Sequence, residues 1–515
     1  MSRENRSQIK AGVILSYLNI GIGNIIPLFY TPLMLSLLGQ NEYGLYKIAS
    51  SMTSYLSLMA LGIGSAVTRY MIKAREEGGK EAEELTFGLF HVIFQGIAIM
   101  TCIVGAVIVL KLDVFYDASL TASQLARMKI LVALMVLNMA VGFSATSYNA
   151  AVITHECFVF VQGINVLSTI GLPILNIVFL VLGSGTIGMA FVALAVNICI
   201  RVAYVIYVKK KLQLKPCYQK MPQGYIFDIL KFSFWILVGN LAGQLYNATD
   251  TVIIGAIPNL ATVGAAIYNV GTTFSNMMFS LAQVVPTLFS PKANRMVFAG
   301  ATDRQLSDLV IKVGRLQAYI VALVAFGFIA FGQPFIQWYA GEEYRQSYWV
   351  AVIIMIPNCI PLVQSVAHSV MQAKNLHRFR AILYLIIAIV NVVATALLIK
   401  PFGLIGAALP TGIAFIIGHG IILNIYYWKR VGIDIPRFWK KILPIFITAA
   451  GLSIVTISVS YQVDFYNISI MIGGIVIYTV LYFVAVWFWV ADCSEKELIK
   501  NVIMRSINDI KTKLK

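Results

Sequence analysis

The chain has 515 residues, of which 59% are hydrophobic and only 12% are charged. Soluble globular chains are about 45–50% apolar and about 25% charged, so the composition excludes a water-soluble multidomain protein. The formal net charge of +17 lies in short clusters between apolar runs, which argues against nucleic acid as a partner and for the charge rule that orients membrane proteins.

A helix needs about 20 apolar residues to cross a bilayer core. Runs of that length predict spans at 11–37, 44–68, 85–110, 127–150, 158–182, 187–208, 226–254, 262–289, 307–331, 348–372, 379–399, 404–428, 441–460 and 467–490. The expected fold class is an all-α membrane protein with about 14 transmembrane helices. Met1–Lys10 is polar and basic, and the run from Ala11 is too long for a signal core, so the first span is expected to be retained. With the N-terminus inside, one side collects Arg69, Lys73 and Arg75, then Lys209–Lys211, Lys292, Arg295, Lys374, Arg378, Lys429, Arg430 and the basic tail. The other side keeps only Lys47, Lys111, Arg127, Lys129, Arg345 and Lys400. This asymmetry predicts cytoplasmic termini and an even number of crossings. Beyond Ser494, Leu498, Ile499, Val502, Ile503, Ile507, Ile510 and Leu514 recur at helical spacing among lysines, as in a basic amphipathic helix on the inner leaflet.

Spans one to six resemble spans seven to twelve. Tyr30, Gly39 and EYGLY (Glu42–Tyr46) correspond to Tyr246, Gly255 and TVGAAIY (Thr262–Tyr268). Asn176 before GMAFVAL corresponds to Asn391 before GAALPTG. The repeat predicts two pseudo-symmetric six-helix lobes plus two extra C-terminal helices. The expected organisation is an N-terminal lobe at 1–208, a basic cytoplasmic linker at 209–225, a C-terminal lobe at 226–428, two further helices within 429–490 and a basic tail at 491–515.

Several motifs carry little chemistry. Gly183–Gly188 matches GxGxxG but falls between two membrane spans, so it reads as a turn and not a dinucleotide site. Gly239 and Gly243 form a GxxxG, either a close helix approach or a chance match. The six cysteines form no CxxC pair or metal spacing, and no catalytic constellation of His, Asp and Ser is visible.

Polar groups inside spans are the informative ones, because each costs several kcal/mol in hydrocarbon unless it faces protein or water. They include Asn24, Arg201, Lys231, Gln244, Asn247, Asp250, Gln283 and His368, with Arg69 closing span two. Gln244, Asn247 and Asp250 fall on neighbouring turns of one helix face. Lys231 either snorkels to the interface or lines a cavity. Asp250 serves either a structural hydrogen bond or a functional role, Arg69 either anchors at the interface or binds a ligand, and His368 is either a satisfied bundle residue or a cavity liner.

The stretch Lys10–Tyr70, with its LSYLN start, YTPLML run, LGQNEYGLY turn and closing RY, resembles bacterial polysaccharide repeat-unit flippases. YNATDTVIIG (Tyr246–Gly255) is similar to the seventh helix of that family, with Asp250 in the corresponding place. The superfamily is that of the multidrug/oligosaccharidyl-lipid/polysaccharide exporters. The resemblance implies transport of a polyprenyl-diphosphate-linked oligosaccharide between leaflets of the bacterial plasma membrane, for O-antigen, capsule or exopolysaccharide synthesis, with no enzymatic activity. It also implies that Arg69, Arg201 and Lys231 pair with the diphosphate, that Asn and Gln side chains meet sugar, and that Asp250 couples transport to a proton or sodium gradient. Other polysaccharide-assembly membrane proteins are expected partners. Lipid II flippases would carry more arginine early, and span one has none. Two alternatives remain. A cation-coupled multidrug exporter would show an acidic residue in the first span, and a membrane polymerase or ligase would show a large outer loop. Neither feature is present.

Overall fold

The computed structural model describes residues 3–60, 63–218, 225–492 and 495–497. Every regular element in them is helical, and no strand occurs among the described residues. The chain runs through α1 (Arg3–Ser54), α2 (Ile63–Tyr116), α3 (Ala122–Thr154), α4 (Phe158–Val181), α5 (Gly185–Tyr207), α6 (Tyr225–Asn247) and α7 (Thr249–Gly255). It continues through α8 (Ala261–Ala282), α9 (Val284–Phe298), α10 (Asp303–Ala340), α11 (Ser347–Val363), α12 (Ser365–Ala373) and α13 (His377–Phe415). A short α14 (Asn424–Tyr426) sits between two π-helical stretches, and α15 (Ile435–Val459) and α16 (Ile468–Ala485) complete the set.

Among the described residues, nine helices are long and apolar enough to cross a bilayer, and a tenth is a bent pair. Some of these hold more than one crossing. At 1.5 Å per residue a straight α1 would reach about 78 Å, far beyond a core of about 30 Å. Gly39 divides it, with φ 72° and ψ 170°, a left-handed conformation that a side chain would strain. Gly403 (φ 58°) divides α13 in the same way. The runs predicted as spans seven and eight are interrupted helices, α6 with α7 and α8 with α9. The architecture is consistent with about 14 transmembrane helices, as the apolar runs predict.

α1 stays helical through Pro27 and Pro32. Pro357 and Pro361 remove two backbone donors from α11, and a 45° bend to α12 follows at Gln364. The Gly183–Gly188 motif is a tight turn between α4 and α5, with Gly183 and Gly185 both at positive φ. A Cβ on Gly239 or Gly243 would meet nothing within 4 Å, so the GxxxG of α6 holds no close helix approach. Gly88 does: a Cβ there would overlap the Cys217 carbonyl. The described part of the basic linker lies along α2, where Cys217 N donates to the Glu84 carbonyl (3.0 Å) and Lys215 N to the Glu84 carboxylate (3.2 Å), with Lys209–Lys211 and Lys215 exposed.

The chain groups into two compact units. The first draws on Met1–Gly271 and Arg378–Ala414, the second on Thr272–His377 and Phe415–Lys515. In the first, Phe87, Phe90 and Phe94 of α2 pack against Tyr148 and Val152 of α3 and Tyr204 of α5. Lipid is as apolar as these rings, so close packing rather than transfer from water holds them. Leu110, Val114, Leu167 and Val181 stay exposed, as lipid-facing residues do.

In the second unit, α15 and α16 pack on α10. Phe331 meets Phe465 and Tyr478, and Ser453 donates to the Phe326 carbonyl at 2.7 Å. A largely buried ion pair joins the start of the C-terminal segment to α10. The Arg315 guanidinium donates to both oxygens of Glu495 (2.8 and 2.7 Å), to the carbonyls of Lys441 (2.8 Å) and Val490 (2.9 Å), and to the Tyr319 hydroxyl (2.7 Å). The start of the C-terminal segment is thereby fastened to α10 and α15. The amphipathic helix expected beyond it lies outside the described residues, except for 495–497. Burial alone would raise the Glu495 carboxyl, but hydrogen bonds from Arg315, the Asp492 backbone and Tyr319 hold it below its ordinary value. A depressed carboxyl contributes stability above its unfolded pKa of about 4.3, and loses it as pH falls through the folded value. Glu495→Gln, which leaves a buried guanidinium underpaired, is expected to cost about 3 kcal/mol at pH 7. Thermal unfolding in detergent should show this deficit shrinking as pH falls below the unfolded pKa of about 4.3 and vanishing once pH passes the depressed folded value.

Candidate functional site

Asp250 is enclosed in the first unit's helices at 2% exposed. Glu83 of α2 is as deeply buried but is paired with His155 (2.9 Å), whereas Asp250 meets no cation among the described residues. Its position follows from the interruption of span seven. α6 ends at Asn247, whose amide turns back to the Gly243 carbonyl (2.8 Å), and the helix restarts at Thr249. The Thr249 hydroxyl bonds that of Tyr55. Asp250 then lies in the first turn of α7, facing α8 and α13.

Its three direct partners are hydroxyls. Tyr268 donates to Oδ2 at 2.5 Å, Thr411 to Oδ2 at 3.2 Å and Thr395 to Oδ1 at 3.1 Å. Behind them, Asn391 Nδ2 donates to Thr411 Oγ1 (3.2 Å), and the Tyr246 hydroxyl donates to the Thr411 carbonyl (3.0 Å). A threonine has one proton to give, so the amide of Asn391 orients Thr411 toward Asp250. The site is an oxygen-rich clasp on a carboxylate, which has room for about four acceptor contacts and receives three. Oxygen ligands of this kind suit a proton or a hard cation.

The repeat explains the clasp. In the first half Asn176 donates to the Tyr30 hydroxyl at 3.0 Å. The corresponding Tyr246 and Asn391 also converge, but through Thr411, and α7 adds the carboxylate. Asn391, Thr411 and Tyr268 all belong to the repeat motifs, so their meeting had a signal in sequence order. Thr395, 145 residues from Asp250, had none.

The other sequence candidates divide. Gln244 accepts from Ser54 and donates to Ser57, both at 3.1 Å, tying α6 to the first half. Asn24 gives its amide to the Ile20 carbonyl of its own helix (2.8 Å). Arg69 is exposed on α2. Arg201 of α5 is partly buried and interacts electrostatically with His91 and Tyr148. Lys231 lies on α6, and its side chain is outside the described set. Gln283 and His368 belong to the second unit, at the α8–α9 break and on α12.

The two repeat motifs also touch. Thr262 donates to Asn41 at 2.8 Å, and a Cβ on Gly44 would overlap the Thr262 carbonyl. Tyr116 donates to the Val252 carbonyl (3.2 Å) and Ser119 to the Gly255 carbonyl (2.9 Å).

A multi-pass helix bundle with interrupted spans and an enclosed, hydroxyl-clasped carboxylate has the build of a membrane transport protein, and the comparisons agree. The chain belongs to the polysaccharide biosynthesis protein family, whose profile matches residues 9–291, more than half of its length. A probable low-salt glycan biosynthesis flippase of Haloferax volcanii is 24% identical over 201 residues, which are 39% of this chain and 41% of that protein. The chain thus spans about two fifths of the length of the curated relative it matches. Among solved structures, the lipid II flippase MurJ in an inward closed conformation superposes with a TM-score of 0.68 at 14% identity, covering 93% of this chain and 98% of that one. An inward-facing multidrug resistance MATE family transporter of the MOP superfamily superposes at 0.64 with 12% identity, covering 82% and 99%. These relatives are flippases or transporters, not enzymes.

Each hydroxyl of the clasp meets a charged or buried acceptor, and its removal leaves that acceptor short of a donor. Thr395→Val and Tyr268→Phe are each expected to lower stability by about 2 kcal/mol, read as a drop in the unfolding midpoint in detergent. Ser458→Ala, on an exposed turn of α15, should leave that midpoint unchanged.

Proposed function

We propose that this protein is a flippase for polyprenyl-diphosphate-linked oligosaccharide repeat units, carrying them from the inner to the outer leaflet of the plasma membrane for surface polysaccharide assembly. The observation that carries this reading is membership of the polysaccharide biosynthesis family together with the fold of a lipid II flippase. The physical logic is that a lipid tail can remain in hydrocarbon while its diphosphate and sugars require a polar route. In this reading both termini are cytoplasmic, the two halves of the repeat rock to alternate access, and Arg69, Arg201 and Lys231 meet the diphosphate.

Asp250 is the coupling carboxylate in this proposal. It exchanges a proton or a sodium ion against Thr395 and Thr411 as the second half rearranges. The test is a leaflet-sidedness assay in liposomes containing a labelled polyprenyl-diphosphate oligosaccharide. Wild-type protein should move the label to the enzyme-accessible leaflet and respond to an imposed ion gradient. Asp250→Asn should transport at least about tenfold more slowly, a loss of about 1.4 kcal/mol, and should lose the gradient response. Absence of transfer, alongside ion-driven efflux of an organic cation, would replace this reading by that of a multidrug exporter.

The ties from Asn41, Tyr116 and Ser119 to Thr262, Val252 and Gly255 lie at the ends assigned to the outer face. In the proposed cycle they close the route on that side. Asn41→Cys with Thr262→Cys, joined by a short cleavable thiol crosslinker, should therefore stop transfer, and cleavage should restore it to within about twofold. Undiminished transfer by the crosslinked protein would exclude opening at this point.

A further inference from the structure

A second polar feature lies inside the first unit, apart from the Asp250 clasp. A half-open cavity of about 290 Å³ lies between α2, α3 and α5. Its polar lining is Thr68, Thr146, Asn149, Asn197 and Tyr204, and alanine and isoleucine side chains supply the rest, with Gly64 and Gly142 opening the wall. Among the described residues that line it, none is Asp, Glu, Lys, Arg or His.

The partners of these groups leave capacity unused. Asn149 donates to the Tyr204 hydroxyl at 3.4 Å, and Asn197 donates to Asn138 Oδ1 at 2.8 Å. The carbonyls of Asn149 and Asn197 and the hydroxyl proton of Tyr204 have no protein partner among the described residues. A carboxamide both donates and accepts, and so does a sugar hydroxyl. The Tyr204 ring is itself buried edge-on against Phe160, so the apolar wall beside the amides comes from Ala145, Ala150, Ile153 and Ile200. The volume sits at the lower end of the roughly 300–1,000 Å³ of small-molecule sites, enough for one or two rings and too small for a whole repeat unit.

The charge pattern narrows the ligand. An organic cation would find no carboxylate here, and a diphosphate or uronic acid would find no cation. Arg201, however, follows Asn197 by four residues and precedes Tyr204 by three, so it shares their helix face. A charged linkage and a neutral ring have adjoining addresses along α5.

We propose that this cavity recognises one neutral sugar ring of the transported glycan, held by the carboxamides of Asn149 and Asn197 against the aliphatic wall of Ile153 and Ile200. The inference rests on the flippase reading for the source of the sugar. A full-length protein in liposomes is photolabelled with a polyprenyl-diphosphate N-acetylhexosamine bearing a diazirine on its acetamido group. Labelled peptides are mapped while leaflet transfer is followed in the same vesicles. Label is expected on α3 near Asn149 or on α5 near Asn197, and a uronic acid analogue should label at least tenfold less. A Cβ on Gly64 meets nothing within 4 Å, so Gly64→Leu should fill the cavity without disturbing the backbone and reduce labelling at least tenfold. Asn197→Ala, which removes volume, is the second variant and should reduce labelling several-fold. Label on other helices, or labelling untouched by both variants while transfer continues, would overturn the cavity assignment and leave the flippase standing. Label at Asn197 without transfer would keep the sugar site and remove the flippase. Neither label nor transfer would remove both.

Discussion

In hydrocarbon no water reaches an unpaired peptide group, and each one left open costs several kcal/mol. That constraint makes every crossing of this chain a helix and restricts where a helix can be broken. The long helices α1 and α13 turn at Gly39 and Gly403, where a left-handed residue lets the chain reverse at the ends of crossings. The breaks inside crossings are of another kind. They fall at Ala248, Gln283 and Gln364, each beside polar side chains and protein neighbours that can take up freed backbone groups.

Those interruptions place the chemistry. A continuous span seven would carry Asp250 on a regular helical surface. The break before Thr249 instead turns the carboxylate toward Tyr268, Thr395 and Thr411. Burying an ionised carboxylate is tolerable only when its acceptor sites are filled, and three hydroxyls do this without supplying a fixed positive charge. The clasp therefore holds a charge that nothing in it neutralises permanently, the arrangement expected where a mobile cation or proton comes and goes. Arg315 and Glu495 form the opposite arrangement. Their charges cancel, the geometry is bidentate, and the result fastens one end of the bundle.

The first unit distributes polar character between two places with different chemistry. Around Asp250 the groups are hydroxyls converging on one carboxylate. In the cavity of α2, α3 and α5 they are the amides of Asn149 and Asn197 with the hydroxyls of Thr68, Thr146 and Tyr204, and no charged side chain is in the lining among the described residues. Separation of the two suits a protein that handles an ion and an uncharged ring as distinct ligands.

The sequence by itself determined the solvent, the all-helical class and the approximate number of crossings, because hydropathy is summed over about 20 residues at a time and survives local irregularity. It also marked Asp250, since a carboxylate in a span is costly whatever surrounds it. It did not determine which polar residues act together. Gln244 and Asn247 share a helix face with Asp250, yet one ties α6 to Ser54 and Ser57 and the other returns to its own backbone. Thr395, unremarkable in an apolar run, supplies a hydrogen bond from 145 residues away. Gly239 and Gly243 have the spacing of a packing motif, yet a Cβ on either would meet nothing within 4 Å, while a Cβ on Gly44, outside any such motif, would overlap the Thr262 backbone. Spacing along one helix fixes only which way a residue faces. What stands opposite is decided by the packing of helices far apart in the chain, and that belongs to the tertiary structure alone.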